Sequence, residues 1–166
     1  MIRTGLGYDS HRLLAGRRLV LGGVEIDHEL GLDGHSDADV LTHAVIDSVL
    51  GAAGLGDIGE HFPDTRPEYR DADSIELLRQ VAAWVGAAGW EVVNVDATVV
   101  IERPRLAPHR AAMRARLAEA LGVAGDAVNV KATTGEAVGF IGRGEGAAAL
   151  AVATLERGAP PTGAPA

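Results

Sequence analysis

Asp9 and His11 stand two apart in "GLGYDSHRL", residues 5–13. In an extended strand, residues i and i+2 project to one face, so the pair offers a carboxylate oxygen and an imidazole nitrogen to a single point. Those are two of the three protein ligands of an open zinc site, whose fourth position is left to water or substrate. His43 is a candidate for the third. A competing reading makes it a surface histidine, because Asp39, His43 and Asp47 follow at i, i+4 and i+8 of a helical pattern. Asp-x-His alone is a short pattern that also arises by chance.

Four further stretches carry groups suited to anions. In "GHSDAD", residues 34–39, His35 and Ser36 precede a helical pattern, where free N–H groups and the helix dipole favour a phosphate. Ser36 reads equally as a helix cap. In "GDIGEHFPDT", residues 56–65, Asp57 and the backbone of Ile58 and Gly59 can bond a sugar or phosphate at close approach, and Pro63-Asp64-Thr65 is turn chemistry. "KATTGEAVGFIGRGEG", residues 131–146, places two hydroxyls, a carboxylate and several glycines at a strand end. That set suits phosphate oxygens and a hard divalent cation on Glu136, or else a glycine-rich turn. "ERPRLAPHR" gathers Arg103, Arg105, His109 and Arg110 around two prolines, as an anion patch or a solvated loop. The stretch at 131–146 is not a phosphate-binding Gly-Lys-Ser/Thr loop, and with no Ser-His-Asp order or nucleophile elbow evident, nucleophilic acyl transfer has no support.

The elements that must position these groups follow from periodicity. Residues 2–8 read as a strand running into Asp9-Ser10-His11, and "RRLVLGGVEI" as a hairpin turning at Gly22-Gly23. A helix is expected from Ser36 as cap, with Asp39 as capping-box partner. Leu41, Val45, Val49 and Ala52 form its apolar stripe, and glycines at 54 and 56 end it. A long polar connection spans 56–73, and a second helix starts at Asp73 with Ile75, Leu78, Ala82 and Val85 inward. Val93, Val95, Ala97, Val99 and Ile101 alternate with Asn94, Asp96 and Thr98 as a half-buried strand. Pro108 opens a helix ending at Gly122, "VNVKATT" is a short strand, and "AAALAVATLE" reads as a last strand. The class expected is α+β, a mixed α/β sandwich with a single sheet and helices on one face.

Composition sets the outer limits. The 166 residues are 47% hydrophobic and 23% charged, enough for one core, with residues 1–156 as the domain. The Pro-, Gly- and Ala-rich 157–166 is expected to be a disordered tail. A net charge of −8 opposes nucleic-acid binding. With no cysteine, any zinc must sit on nitrogen and oxygen. No membrane span or leader is visible, which leads us to expect a soluble, cytoplasmic protein.

Taken in order, "GYDSHRL", "GHSDADVLTHAVIDSVLGAAGLGDIGEHFPDT", "NVDATVV" and "NVKATTGEAVGFIGRGEG" resemble one family over residues 2 to about 156. It is the 2-C-methyl-D-erythritol 2,4-cyclodiphosphate synthases of the non-mevalonate isoprenoid pathway. The resemblance implies a lyase that turns 4-diphosphocytidyl-2-C-methyl-D-erythritol 2-phosphate into the cyclic diphosphate and CMP. A zinc-dependent phosphodiesterase of nucleoside diphosphate linkages is the alternative. The resemblance implies zinc on Asp9, His11 and His43, and magnesium or manganese on Glu136. His35 and Thr134 would hold the reacting phosphates. Substrate contacts would come from Asp9, His11, His35, Ser36, Asp57, Ile58, Gly59, Phe62, Pro63, Asp64, Thr65 and Arg66, and from Thr133, Thr134, Gly135, Glu136, Phe140 and Arg143. It also implies a homotrimer whose sheets face a central cavity, with sites at the interfaces. The cytidine would lie on a neighbour's 101–107 and 132–134 segments, and an isoprenoid diphosphate would fit near Arg143 and Glu145. The chain departs from the pattern at Gly135, where many members carry a third threonine, and at Ala137 in place of a lysine.

Overall fold

A computed structural model describes residues 1–157. Its main element is a five-stranded mixed sheet in the order β4-β1-β7-β5-β6. The strands are β1 (Ile2–Ala15), β4 (Leu30–Leu32), β5 (Glu91–Val100), β6 (Val128–Thr133) and β7 (Gly146–Glu156). Only β5 and β6 run parallel; β7 lies between β1 and β5 and is antiparallel to both. Strands β2 (Leu19–Leu21) and β3 (Val24–Ile26) form the hairpin expected at Gly22-Gly23. They make a separate two-stranded sheet, which corrects the expectation of a single one.

Helix α1 (Val40–Ala53) lies across β1, β7 and β5, and α3 (Ser74–Ala87) packs on α1 and on α4 (Arg110–Leu121). What lets α1 settle so low on the sheet is the small size of the side chains beneath it. Along β1 the helix-facing positions are Gly5 and Gly7, followed by Asp9 and His11. Opposite them on β7 stand Ala153, Ala151, Ala149 and Ala147, all buried. A Cβ built on Gly7 would lie 1.9 Å from the Ala44 carbonyl oxygen, so backbone touches backbone there. Alternation sends Leu6, Tyr8, Leu150 and Val152 to the other face, where Leu6 is 67% exposed. The alanine-rich segment is thus a strand, as expected, and its alanines form a thin floor under α1.

Several local expectations change. The cap of α1 is Asp39, not Ser36, because the Ser36 hydroxyl is turned onto the His43 ring. The buried Asp39 carboxylate accepts from Thr42 N–H and Oγ, and from the N–H groups of Gly22 and Gly23. One side chain thus joins the helix start to the hairpin turn. The connection after α1 contains α2 (Ile58–His61), capped by Asp57, and a 3₁₀ turn over Pro67–Tyr69. Helix α3 is capped by Asp73 as read. A register shift between Val92 and Asn94 turns Val93 outward, off the face it was expected to share with Val95. Helix α4 begins at Arg110 rather than Pro108, since the His109 N–H first closes a turn onto Leu106. The glycine-rich run after β6 holds a short helix, α5 (Gly139–Gly142).

No helix among the described residues is long and apolar enough to cross a membrane. Of the tail expected from residue 157, Arg157 donates to the Ala88 carbonyl and stacks 4.3 Å over Trp90. Residues 158–166 lie outside the described residues.

Candidate metal centre and substrate cleft

The strand period and the docking of α1 bring Asp9, His11 and His43 to one point. Asp9 Oδ2 lies 2.9 Å from His11 Nε2 and 3.0 Å from His43 Nδ1, and the two ring nitrogens are 3.3 Å apart. The surface-histidine reading of His43 is overturned, since the residue is buried. Asp47, its supposed partner, instead accepts from the Ile58 N–H and anchors α2.

The other nitrogen of each ring is already engaged. His11 Nδ1 donates to the Asp33 carbonyl at 2.8 Å, which leaves the Nε2 lone pair facing Asp9. His43 Nε2 lies 2.8 Å from Ser74 Oγ, leaving Nδ1 to face the same point. Two lone pairs and a carboxylate within hydrogen-bond distance repel one another unless a cation or a proton sits among them. In the metal-free chain a proton on His11 can do this. Burial acts to lower the His11 pKa, but the bond to Asp9 and its charge outweigh burial and raise it above 6.5. Burial acts to raise Asp9, yet the bond from His11 and its charge, with His43 acting in the same direction, hold it far below the ordinary carboxylate range. Among the described residues this is the cluster able to hold a metal ion. Two imidazoles and one carboxylate fit an open zinc site, being one ligand short of closure.

The three residues of the cluster line a cleft of about 480 Å³. Of the residues the resemblance named as substrate contacts, His35, Ser36, Ile58, Gly59, Phe62, Pro63 and Asp64 line it, together with Tyr69 and Leu77. Phe62 stacks on Trp84 at 5.4 Å and meets Tyr69 edge-on at 5.3 Å, which stiffens the apolar wall. His35 Nε2 donates to the Arg66 carbonyl at 3.1 Å. Asp57 caps α2 through one carboxylate oxygen, its Oδ1 accepting from the Glu60 N–H.

The remaining candidates lie elsewhere on the chain. Thr133 and Thr134 line a second pocket of about 230 Å³, with Ile101, Glu102, Pro104, Arg105, Leu106, Ala107 and Arg110. Next to it the Gly135 N–H donates to Glu102 Oε2, and Thr134 Oγ donates to Glu136 Oε1 at 2.8 Å. The absence of a side chain at 135 has a packing reason here. A Cβ there would stand 2.8 Å from the Gly142 nitrogen and 2.9 Å from Ile141 Cβ, so the loop closes directly onto α5. Phe140 lies in a shallow third pocket with Ser10, His11, Arg12 and Glu145. Arg143 makes two bonds to the Glu145 carboxylate, at 2.7 and 3.1 Å.

Sequence reasoning missed Asp37, Asp47, Ser74, Tyr69 and Leu77. Ser74 carries no signal in the sequence beyond its place after the Asp73 cap, because its contact with His43 spans 31 residues.

The family model described as the YgbB family matches residues 2–156. This chain belongs to the YgbB family. Among its YgbB relatives, the 2-C-methyl-D-erythritol 2,4-cyclodiphosphate synthase of Bordetella avium is 59% identical over 155 residues, 93% of this chain and 96% of the relative. The bifunctional enzyme IspD/IspF of an Anaeromyxobacter species is 60% identical over 156 residues, 94% of this chain. This chain spans 40% of that longer protein's length. The solved structure of Plasmodium falciparum IspF in complex with CDP superposes with a TM-score of 0.83 at 30% identity, covering 94% of this chain and 96% of that one. The YgbB chain is therefore an α+β member of an enzyme family, with a five-stranded mixed sheet and helices as its frame.

Proposed function

We propose that this chain converts 4-diphosphocytidyl-2-C-methyl-D-erythritol 2-phosphate to 2-C-methyl-D-erythritol 2,4-cyclodiphosphate and CMP, as a lyase of non-mevalonate isoprenoid precursor synthesis in the cytoplasm. The observation that carries the reading is the convergence of Asp9 Oδ2, His11 Nε2 and His43 Nδ1 in a cleft that Phe62, Tyr69 and Leu77 also line. Its support from relatives is the B. avium synthase, matched over almost its whole length. Residues 1–156 would be the catalytic domain.

Asp9, His11 and His43 would hold a zinc ion, which when bound neutralises and polarises a phosphate set against it. Glu136 offers a hard carboxylate oxygen for a magnesium or manganese ion that would offset the diphosphate charge. The chain itself supplies position. His35, held by its bond to the Arg66 carbonyl, presents its ring along the cleft beside Ser36. Asp57, which also caps α2, would bind the erythritol hydroxyls, with the Ile58-Gly59 backbone and the segment from Phe62 to Arg66 alongside. Phe62, Tyr69 and Leu77 exclude water from that side. Thr133, Thr134 and Gly135 would hold the phosphates at the other pocket. The attacking 2-phosphate is already an oxyanion, so no general base is required. The main task is to bring two anions together in line.

Within one chain the zinc ligands and Thr134 line different pockets. A homotrimer would join them, one protomer's 101–107 and 132–134 segments facing its neighbour's cleft and taking the cytidine. The Plasmodium falciparum relative in complex with CDP supports a cytidine nucleotide ligand. The exposed Leu6, Tyr8, Leu150 and Val152 would line the central cavity, an apolar patch suited to burial between subunits. Phe140 and the Arg143–Glu145 pair would lie toward one end of it, where an isoprenoid diphosphate would fit.

The test is phosphorus NMR of the purified chain with the diphosphocytidyl substrate, zinc and magnesium. Two coupled cyclic-diphosphate resonances with stoichiometric CMP are expected. Open-chain phosphates would overturn the proposal in favour of a phosphodiesterase.

A further inference from the structure

His43 has a second neighbourhood, away from Asp9 and His11, that the reaction does not use. Its Nε2 lies 2.8 Å from Ser74 Oγ, and Ser74 Oγ lies 2.5 Å from Asp37 Oδ1. These groups come from three segments: the loop before α1, α1 itself, and the first residue of α3. Ser74 is fully buried, so no solvent molecule competes for its hydroxyl. Asp37 is held in turn, its Oδ2 accepting from the Ser74 N–H at 3.0 Å and its Oδ1 from the Asp39 N–H at 3.1 Å.

We infer that Asp37 and Ser74 are positioning residues that fix the tautomer and orientation of His43, so that Nδ1 is presented to the metal. The argument is one of donors and acceptors. An ionised carboxylate only accepts, so the single Ser74 hydroxyl proton goes to Asp37. The Ser74 oxygen then accepts from His43 Nε2–H. With its one proton on Nε2, the neutral ring must offer a lone pair at Nδ1, the atom 3.0 Å from Asp9 Oδ2. Reversing the chain would put the proton on Nδ1 and block coordination. Ser36 Oγ, 3.2 Å from the same Nε2, is the lesser acceptor, because it also receives the Ala38 N–H. Groups that hold the far nitrogen of a ligating histidine typically change metal affinity by about 10- to 100-fold when removed.

The inference rests on the metal reading of Asp9, His11 and His43, and the experiment separates the two. Chelator-stripped full chain, wild type and the variants Ser74→Ala and Asp37→Asn, is titrated with Zn²⁺ against a competing chelator. Binding by wild type with about 10- to 100-fold weaker binding by Ser74→Ala is the expected result. Asp37→Asn should weaken binding in the same direction, since an amide N–H can donate to Ser74 and free its proton to face Nε2. The two effects should not add in the double variant, because both act through one bond. A second readout needs no metal. Nitrogen-15 correlation spectra of the metal-free wild type at mildly alkaline pH should show His43 protonated at Nε2, and Asp37→Asn should gain the Nδ1–H form. Zinc binding by Ser74→Ala within about twofold of wild type would overturn the relay while leaving the metal site standing. A wild-type ring protonated at Nδ1 would overturn it as well, and so would failure of wild type to bind Zn²⁺, which removes the metal reading too. If Ser74→Ala does not fold, Asp37→Asn and the wild-type spectrum decide the matter.

Discussion

Replacing Gly7 by alanine should damage the proposed metal site without touching Asp9, His11 or His43. The new methyl would lie 1.9 Å from the Ala44 carbonyl oxygen and 2.7 Å from the Ser48 nitrogen. A carbon and a carbonyl oxygen settle no closer than about 3.3 Å, so α1 must retreat from β1 by roughly 1.4 Å. Both partners in the clash are backbone, and neither can rotate away. His43 precedes Ala44 on α1, while Asp9 and His11 stay with β1, so the retreat opens the 3.0 Å gap between His43 Nδ1 and Asp9 Oδ2. Metal–ligand distances tolerate only about 0.2 Å. Displacement of one ligand by more than an ångström should weaken zinc binding by about 100-fold or more. The overpacking itself should cost about 3 kcal/mol, at the upper end for an inserted methyl because nothing near it is flexible. Urea unfolding of the chelated protein reads the second quantity, and a chelator competition titration reads the first. Gly51→Ala is the control, being on the same helix with no atom within 4 Å of its added Cβ. It should be neutral or more stable by up to about 1 kcal/mol. A Gly7→Ala protein with unaltered zinc affinity and unaltered unfolding midpoint would refute the claim that close packing of α1 on β1 sets the site.

Three other outcomes follow from single contacts. The folded pKa of His11 is raised above 6.5, so its contribution to stability is complete below that value and is lost as pH rises through the raised one. Melting curves of metal-free protein should therefore lose stability across that window, and zinc-loaded protein should not, since there the metal replaces the proton. Phe62→Ala removes a buried ring stacked on Trp84 and edge-on to Tyr69, and should cost about 3 kcal/mol. It should also shift Trp84 fluorescence to the red and raise KM for the proposed substrate more than it lowers kcat. Asp39→Ala orphans the Gly22, Gly23 and Thr42 N–H groups together, and a lost cap plus buried unpaired donors amounts to about 3 kcal/mol. Amide exchange at Gly22 and Gly23 should speed up in that variant, and unchanged exchange would show that the carboxylate does not hold the turn.

Relations confined to one element could be read from the chain directly. Asp9 and His11 share a face because β-structure repeats every two residues, and this needs no knowledge of what lies opposite. The hairpin at Gly22-Gly23, the helix from Asp73 and the αL stop at Gly54 follow from turn and cap chemistry in the same way. The cleft residues from His35 to Asp64 were legible through the ordered motifs of a family rather than through any one pattern. Local rules gave the wrong answer where a distant group competed for a side chain. Ser36 has the chemistry of a cap, but its hydroxyl belongs to the His43 ring, and Asp39 caps α1 because the turn of the hairpin also needs its carboxylate. Helical spacing left His43 undecided between ligand and surface residue, because its contact with Asp9 is 34 positions away in the chain. The burial of His43 against Asp9 and His11, and the contact of its other nitrogen with Ser74, were decided by how low α1 sits on a floor of glycine and alanine. Packing of one element on another depends on the shapes of both surfaces at once, and no periodicity within either one encodes it.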